Sequence, residues 1–330
     1  MKDRSSAVTA RQRCIIRNAG WGMLALTVLW LALAAISAAA ADRKTEAAGI
    51  KVMKDVSYGP HTRNVMDFYL PESGPTLRPL VICIHGGGWA GGDKKGYAWL
   101  GEALARQGFA AVSITYRFAP AWRAPAQLDD VQRAVRWLRK NAAQYGLDPE
   151  RFGAIGGSAG GHLASYLALA DTRDNSDAEL AGYSSRVQCV VDCYGPVDLV
   201  GMMQSSSSPI VEGFIGKSLE GSEEDYRQAS PVSYVKTNPP PFLIVHGTKD
   251  VGTSRGQVPI TQSVEFYEKL RQAGGEATLV KLEGAGHGFT GNGSNKFAQE
   301  TLAAAVEFFR KHLMNRAEGA RQQPHGVMVH

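Results

Sequence analysis

The chain has 330 residues, 44% of them hydrophobic and 20% charged, with 37 Gly, 4 Cys and a formal net charge of +5. This length holds one large α/β domain or two smaller ones, and 8% aromatic residues at ordinary charge density exclude a disordered chain. Four cysteines exclude a disulfide scaffold, no C-x-x-C or H-E-x-x-H segment offers a metal site, and the basic balance that could suit nucleic acid is not spread along the chain.

Residues 1–41 carry Lys2, Arg4, Arg11, Arg13 and Arg17 against Asp3, which accounts for +4 of the +5. From Ala19 to Ala41 no charge appears, and Trp21 to Ile36 is strongly apolar before the small residues Ser37 to Ala41. A basic region, an apolar region and A-x-A-like residues are the order of a secretory signal peptide, cut near Ala39 to Ala41. The rival reading is an uncleaved anchor, since about 20 apolar residues span a bilayer. The expected location is therefore periplasmic or secreted, with a membrane-anchored, outward-facing protein as the alternative. Cys14 precedes the apolar stretch, so it does not stand where a lipid-modified cysteine would.

Export implies an oxidising compartment. Cys189 and Cys193 stand four apart in a strand-like segment, which separates them by about 13 Å and forbids a bridge between them. With Cys83, inside the apolar run Leu80 to Ile84, they read as buried small hydrophobes.

Strands are expected at Ile50 to Tyr58 and Asn64 to Leu70, joined by the Gly59-Pro60 turn. The run Pro79 to His85, closed by Gly86-Gly87-Gly88, reads as a strand buried on both faces of a parallel sheet. Tyr97 to Gln107 is helical in pattern and Phe109 to Tyr116 is a strand. Leu128, Val131, Val135, Leu138 and Ala142 share one helical face, with Arg133, Arg136 and Arg139 off it and Gly146 as the stop. A strand at Phe152 to Gly157 gives way at Ser158 to a helix from Ala159 to Ala170. Val187 to Cys193, Pro241 to His246 and Glu276 to Leu282 are further strands, with helices at Thr261 to Ala273 and Phe297 to Leu313. This alternation means an α/β fold with a mostly parallel sheet covered on both faces. Residues 201–234 break the rhythm, with Ser205 to Ser208 as a loop and an acidic cluster at Glu223-Glu224-Asp225, and read as a lid-like excursion over the strand ends. Residues 314–330 read as a disordered tail, so a single domain is expected over residues 50–313.

Three short motifs carry chemistry. In Gly156-Gly157-Ser158-Ala159-Gly160 the serine falls where an apolar strand turns into a helix, a tight elbow that needs flanking glycines. The competing reading is a glycine-rich turn with Ser158 as N-cap. A serine hydroxyl needs a base, and His287, in Gly286-His287-Gly288-Phe289 after the last strand, is the candidate. His162, one turn after Ser158, reads as a solvated or packed helix residue. The base needs a carboxylate to fix its tautomer, and Asp250, after the strand ending at His246, gives the chain order Ser, Asp, His. Asp198 is the main rival, more suited to bracing a turn, and Glu283 a distant third. Attack on an acyl carbon creates an oxyanion, for which the backbone N–H groups of Gly87, Gly88 and Ala159 are the candidate donors, from His85-Gly86-Gly87-Gly88-Trp89 and the helix start. Trp89 reads as a substrate-pocket wall or as ordinary packing.

With these residues in hand the chain resembles the α/β-hydrolases, and among them the esterase/lipase group related to hormone-sensitive lipase and the feruloyl and acetyl esterases grouped as BD-FAE. The resemblance runs from about Tyr58 to His312. It rests on the three motifs above together with Tyr116-Arg117-Phe118-Ala119-Pro120, Tyr194-Gly195-Pro196, Ser230-Pro231-Val232 and His246-Gly247-Thr248-Lys249-Asp250. It implies Ser158 as nucleophile, His287 as base, Asp250 as acid, and Gly87, Gly88 and Ala159 as oxyanion donors, with no cofactor and no metal. Two departures stand out. Relatives of hormone-sensitive lipase usually have Asp before the serine, where this chain has Gly157. The family tends to have two residues between the acid and a Val-Pro pair, whereas Val251 to Gln257 put seven between Asp250 and Val258-Pro259, an insertion that could displace the acid or reshape the pocket rim.

The expected function is a serine carboxylic-ester hydrolase for short-chain acyl esters, with acetyl or feruloyl groups on carbohydrate suggested by the resemblance. The expected partner is a small-molecule or carbohydrate-borne ester, without nucleic acid, and membrane contact only through the N-terminal segment if uncleaved. An amidase, formamidase or peptidase with the same triad, and a non-catalytic binding protein on this fold, are the alternatives.

Overall fold

The structure, a computed structural model, describes residues 49–206, 208–252, 256–291 and 293–315. The expected export segment, residues 1–41, and the chain from residue 316 onward lie outside the described residues. Met314, assigned to the tail from sequence, instead completes a helical turn, Arg310–Met314, which Asn315 closes by donating its N–H to the Arg310 carbonyl at 3.1 Å.

Eight strands form one sheet: β1 (Ile50–Ser57), β2 (Val65–Pro71), β3 (Arg78–Ile84), β4 (Ala110–Ile114), β5 (Leu147–Gly157), β6 (Cys189–Cys193), β7 (Phe242–Gly247) and β8 (Ala277–Leu282). Their spatial order is β1-β2-β4-β3-β5-β6-β7-β8. β2 pairs antiparallel with β1 and β4, and every other pairing is parallel. The continuous apolar runs follow from burial on both faces. In β3, Leu80, Ile82 and Ile84 enter the core on one side while Val81 and Cys83 enter it on the other. The buried thiols of Cys83 and Cys193 are pushed up by desolvation, as inert packing groups are.

The first side is covered by α2 (Ala126–Lys140), α4 (Ala159–Leu169) and α8 (Thr261–Gln272), the second by α1 (Ala98–Arg106) and α9 (Lys296–Phe309). A short α3 (Ala142–Tyr145) follows α2 and ends at Gly146 in the left-handed conformation. Helix α4 is buried along its whole length, and its small residues allow it to lie against the sheet. Gly160 is the tightest point, since a Cβ there would stand 2.0 Å from the Ile84 carbonyl oxygen.

The stretch expected as a lid-like excursion is largely helical: α5 (Leu199–Ser206), α6 (Pro209–Ile215) and α7 (Glu223–Ala229), followed by a 3-10 turn at Pro231–Tyr234. Ser205 and Ser206 therefore end a helix rather than open a loop. The reason is tertiary. Leu199, Met202 and Met203 recur at helical spacing and are buried, Asp198 Oδ1 accepts the Gly201 N–H at 3.0 Å, and the Gln262 side-chain oxygen Oε1 accepts both Val197 and Asp198 N–H groups. The acidic cluster is the first turn of α7, where carboxylates complement the helix dipole.

Candidate active site

The loops that follow β3, β5, β6, β7 and β8 all leave from the carboxyl ends of parallel strands, where open α/β sheets form their clefts. They surround a cavity of about 650 Å³ whose wall includes Ser158, His287, Gly87, Gly88, Trp89 and Ala159.

Ser158 stands between β5 and α4 with φ 56° and ψ −125°, a conformation costing of order 1–3 kcal/mol that persists only where its surroundings enforce it. Its N–H donates to the Cys193 carbonyl at 2.9 Å, which ties the turn to β6. The Ser158 hydroxyl is 2.9 Å from His287 Nε2. On the other side of the ring, His287 Nδ1 is 2.5 Å from Asp250 Oδ2. A neutral imidazole with its proton on Nδ1 donates to the carboxylate and accepts the serine proton, so the three side chains form one hydrogen-bonded line.

Asp250 is fully buried, yet its carboxylate is well partnered. Oδ1 accepts the Val258 N–H at 3.1 Å, and Oδ2 also faces His246 Nε2 at 3.2 Å. Burial pushes the carboxyl up, and the hydrogen bonds from His246 and His287 outweigh it, leaving the group below its ordinary value and ionised at neutral pH. The insertion after Asp250 does not displace the acid. It returns at Val258 onto the same carboxylate and brings Gly256 to the cavity wall.

The His287 loop is anchored by hydroxyls. Thr290 Oγ1 is 2.9 Å from the Tyr97 hydroxyl and also bonds the Tyr194 hydroxyl, and the Thr290 N–H donates to Tyr194 at 3.2 Å. The Tyr194 ring packs edge-on to His287 with centroids 4.8 Å apart. All three hydroxyls converge over Gly157, where a Cβ would meet them at 2.6–2.7 Å. The glycine that stands where relatives of hormone-sensitive lipase have Asp thus makes room for this cluster.

Gly87 (φ 112°) and Gly88 (φ 58°) hold conformations that side chains disfavour, and their N–H groups donate to no backbone acceptor among the described residues. Ala159, the first residue of α4, has no intrahelical acceptor for its N–H either. The loop is braced from behind: the Tyr116 hydroxyl donates to the His85 carbonyl at 2.9 Å, and the buried His85 ring, its pKa pushed down to about 4 by desolvation, stacks on Tyr116. Trp89 is both cavity wall and packing. Its indole N–H donates to His162 Nδ1 at 3.2 Å, and its ring stacks on Phe214 of α6 at 4.3 Å.

The other candidates fall elsewhere. His162 is completely buried, its Nε2–H donates to the Ala229 carbonyl at 2.7 Å, and burial holds its pKa down at about 4, so both ring nitrogens are used in packing. Asp198 braces the start of α5, and Glu283 is exposed. Sequence reasoning missed Tyr97, Tyr194, Thr290, His246 and the cavity wall formed by Met202, Ile210 and Val211. Only Tyr194 and His246 lay in recognisable blocks, and neither block states what its side chain touches.

The family model BD-FAE matches residues 66–270. Esterase LipQ of Mycobacterium tuberculosis is 35% identical over 81% of this chain, which spans 64% of the length of that relative. A truncated carbohydrate esterase from gut microbiota superposes with a TM-score of 0.69 at 29% identity, covering 82% of this chain and 98% of the other. The esterase Est2 of Thermogutta terrifontis, solved with propionate bound, gives a TM-score of 0.65 at 27% identity over 81% of this chain and 95% of its own.

Proposed function

The chain belongs to the BD-FAE family, on an α/β-hydrolase fold, and from that premise we propose that it is a serine carboxylic-ester hydrolase working through an acyl-enzyme. The observation that carries this reading is the continuous line from the Ser158 hydroxyl through His287 to Asp250, opening on the cavity. Ser158 Oγ attacks the ester carbonyl carbon while His287 Nε2 takes its proton. The carbonyl oxygen, now an oxyanion, is received by the N–H groups of Gly87, Gly88 and Ala159, which have no backbone acceptor of their own among the described residues. His287 then gives the proton to the leaving alcohol oxygen, the C–O bond breaks, and Ser158 is left acylated. Water, deprotonated by the same histidine, attacks the acyl carbon and restores the serine. Asp250 remains ionised throughout and stabilises the imidazolium.

The apolar wall of the cavity, with Met202, Ile210, Val211 and Val258, would receive the acyl chain, and a short one is the reading we adopt. The propionate-bound relative supports that reading, and the gut carbohydrate esterase supports an acyl group carried on a sugar. An export segment at residues 1–41 would bring the enzyme to such material. The test is hydrolysis of p-nitrophenyl acetate by wild type and Ser158→Ala. The variant should lose of order 10⁴ to 10⁶ in kcat/KM. Equal rates in the two proteins contradict the proposal, and matched ester and anilide substrates separate esterase from amidase chemistry.

A further inference from the structure

We propose that His246, held in turn by Ser263, is a positioning residue that fixes the Asp250 carboxylate for His287, so that the acid carries a histidine on each side. This rests on the serine-hydrolase reading above and adds a residue that the three-membered line does not contain.

The geometry assigns the proton. His246 lies in β7 with its ring completely buried. Its Nε2 is 3.1 Å from the Val258 carbonyl oxygen and 3.2 Å from Asp250 Oδ2. A carbonyl oxygen only accepts, so Nε2 carries the hydrogen and shares it between the two acceptors. Nδ1 is 2.7 Å from the Ser263 hydroxyl, in the first turn of α8. With the hydrogen fixed on Nε2, a neutral ring takes the Ser263 proton at Nδ1. Ser263 donates to His246, His246 donates to Asp250, His287 donates to the same carboxylate oxygen, and Ser158 donates to His287.

Two features make this more than packing. The Asp250 carboxylate has donors on both oxygens, from Val258, His246 and His287, and the His246 contribution comes from a strand whose ring is in turn held by a helix, which fixes the carboxylate plane. Val258, at the far end of the insertion, is joined to the acid directly by its N–H and through His246 by its carbonyl. His246 thereby closes the inserted segment onto Asp250. The groups facing the ring are Ser263 from α8, the Val258 carbonyl, the edge of Tyr194 at 6.4 Å and Asp250, with the buried Asp192 on the neighbouring β6.

The test compares His246→Leu with His246→Gln, whose amide can again donate to Asp250. In the leucine variant kcat on a short p-nitrophenyl ester should fall about 10- to 100-fold with KM within about threefold, because a misplacement near 1 Å costs rate rather than binding. The acid limb of kcat/KM should move to higher pH by about half a unit to one unit, because an Asp250 charge no longer shared with His246 stabilises the His287 imidazolium more strongly. Glutamine should restore most of both. Loss of activity in both variants that follows their loss of melting temperature, with the acid limb unmoved, overturns the proposal. ¹⁵N-histidine NMR of the unsubstituted protein reads the tautomer independently of activity. In the neutral form of His246 the hydrogen is expected on Nε2, and the opposite tautomer overturns the assignment even if ester hydrolysis is confirmed. Absence of ester hydrolysis alongside the expected tautomer overturns the esterase reading instead.

Discussion

The backbone conformation of Ser158 is enforced by what surrounds it, and Gly157 shows how narrow the tolerance is. The hydroxyls of Tyr97, Tyr194 and Thr290 occupy the space a side chain at this position would need. Since Thr290 anchors the loop that carries His287, Gly157→Ala should push that loop away from Ser158. A displacement near 1 Å costs about 10² in rate, so kcat/KM should fall by about 10- to 100-fold while the protein remains folded by circular dichroism. Wild-type activity in that variant would contradict the anchoring role of the cluster. Ser158 and His287 were legible in the sequence because glycines flank both and because each follows a strand. The cluster was not, because positions 97, 157, 194 and 290 meet only after the sheet is assembled.

Among the elements, α6 is the one that shapes the cavity. Ile210 lies directly over the Gly86-Gly87-Gly88 loop, since a Cβ on Gly88 would touch its Cγ2 at 2.8 Å, and Phe214 one turn later stacks on Trp89. The helix therefore walls the cavity and packs against the Gly86-Gly87-Gly88-Trp89 loop. Truncating Ile210→Ala removes three methyl or methylene groups, each worth about 0.8 kcal/mol of apolar burial, from the wall. The ratio of kcat/KM for hexanoate over acetate esters should rise several-fold, and an unchanged ratio would place the acyl chain elsewhere. The inner strands β3, β4, β6 and β7 could be read from apolar runs closed by turn residues, because a strand buried on both faces leaves that pattern in its own sequence, whereas the largely exposed β1 carries no such run. Helices α5 to α7 could not, because contacts from Gln262 and from the cavity wall stabilise a segment whose serines and glycines favour a loop.

For the molecule as a whole, buried titratable groups set the acid limit of stability. His85 and His162 are held neutral, their values lowered by burial from 6.5 to about 4, so below about pH 6.5 the unfolded chain takes up protons that the native state refuses. Asp192 opposes them, since burial raises it from 3.8 to about 6 and the native state binds that proton first. Between pH 6 and pH 4 the two histidines outnumber the one carboxyl, and unfolding takes up about one net proton. Stability should fall by about 1.4 kcal/mol per unit as pH drops through this window. Asp250, held below its ordinary value, extends the loss to lower pH. Urea unfolding at pH 7, 6, 5 and 4 checks this, and a stability that stays level or rises toward pH 4 contradicts it. Net charge has a smaller part, since residues 1–41 carry +4 of the +5 and leave the remainder nearly neutral.

The proposed acyl-enzyme route requires one nucleophile, Ser158, prepared by one base, His287. Labelling the folded protein with a fluorophosphonate and locating the adduct by peptide mass spectrometry tests that most directly. A single adduct per chain on Ser158 is expected, formed at least about 10³-fold more slowly in His287→Ala. No adduct in the folded protein, or labelling that persists unchanged in Ser158→Ala, would contradict it.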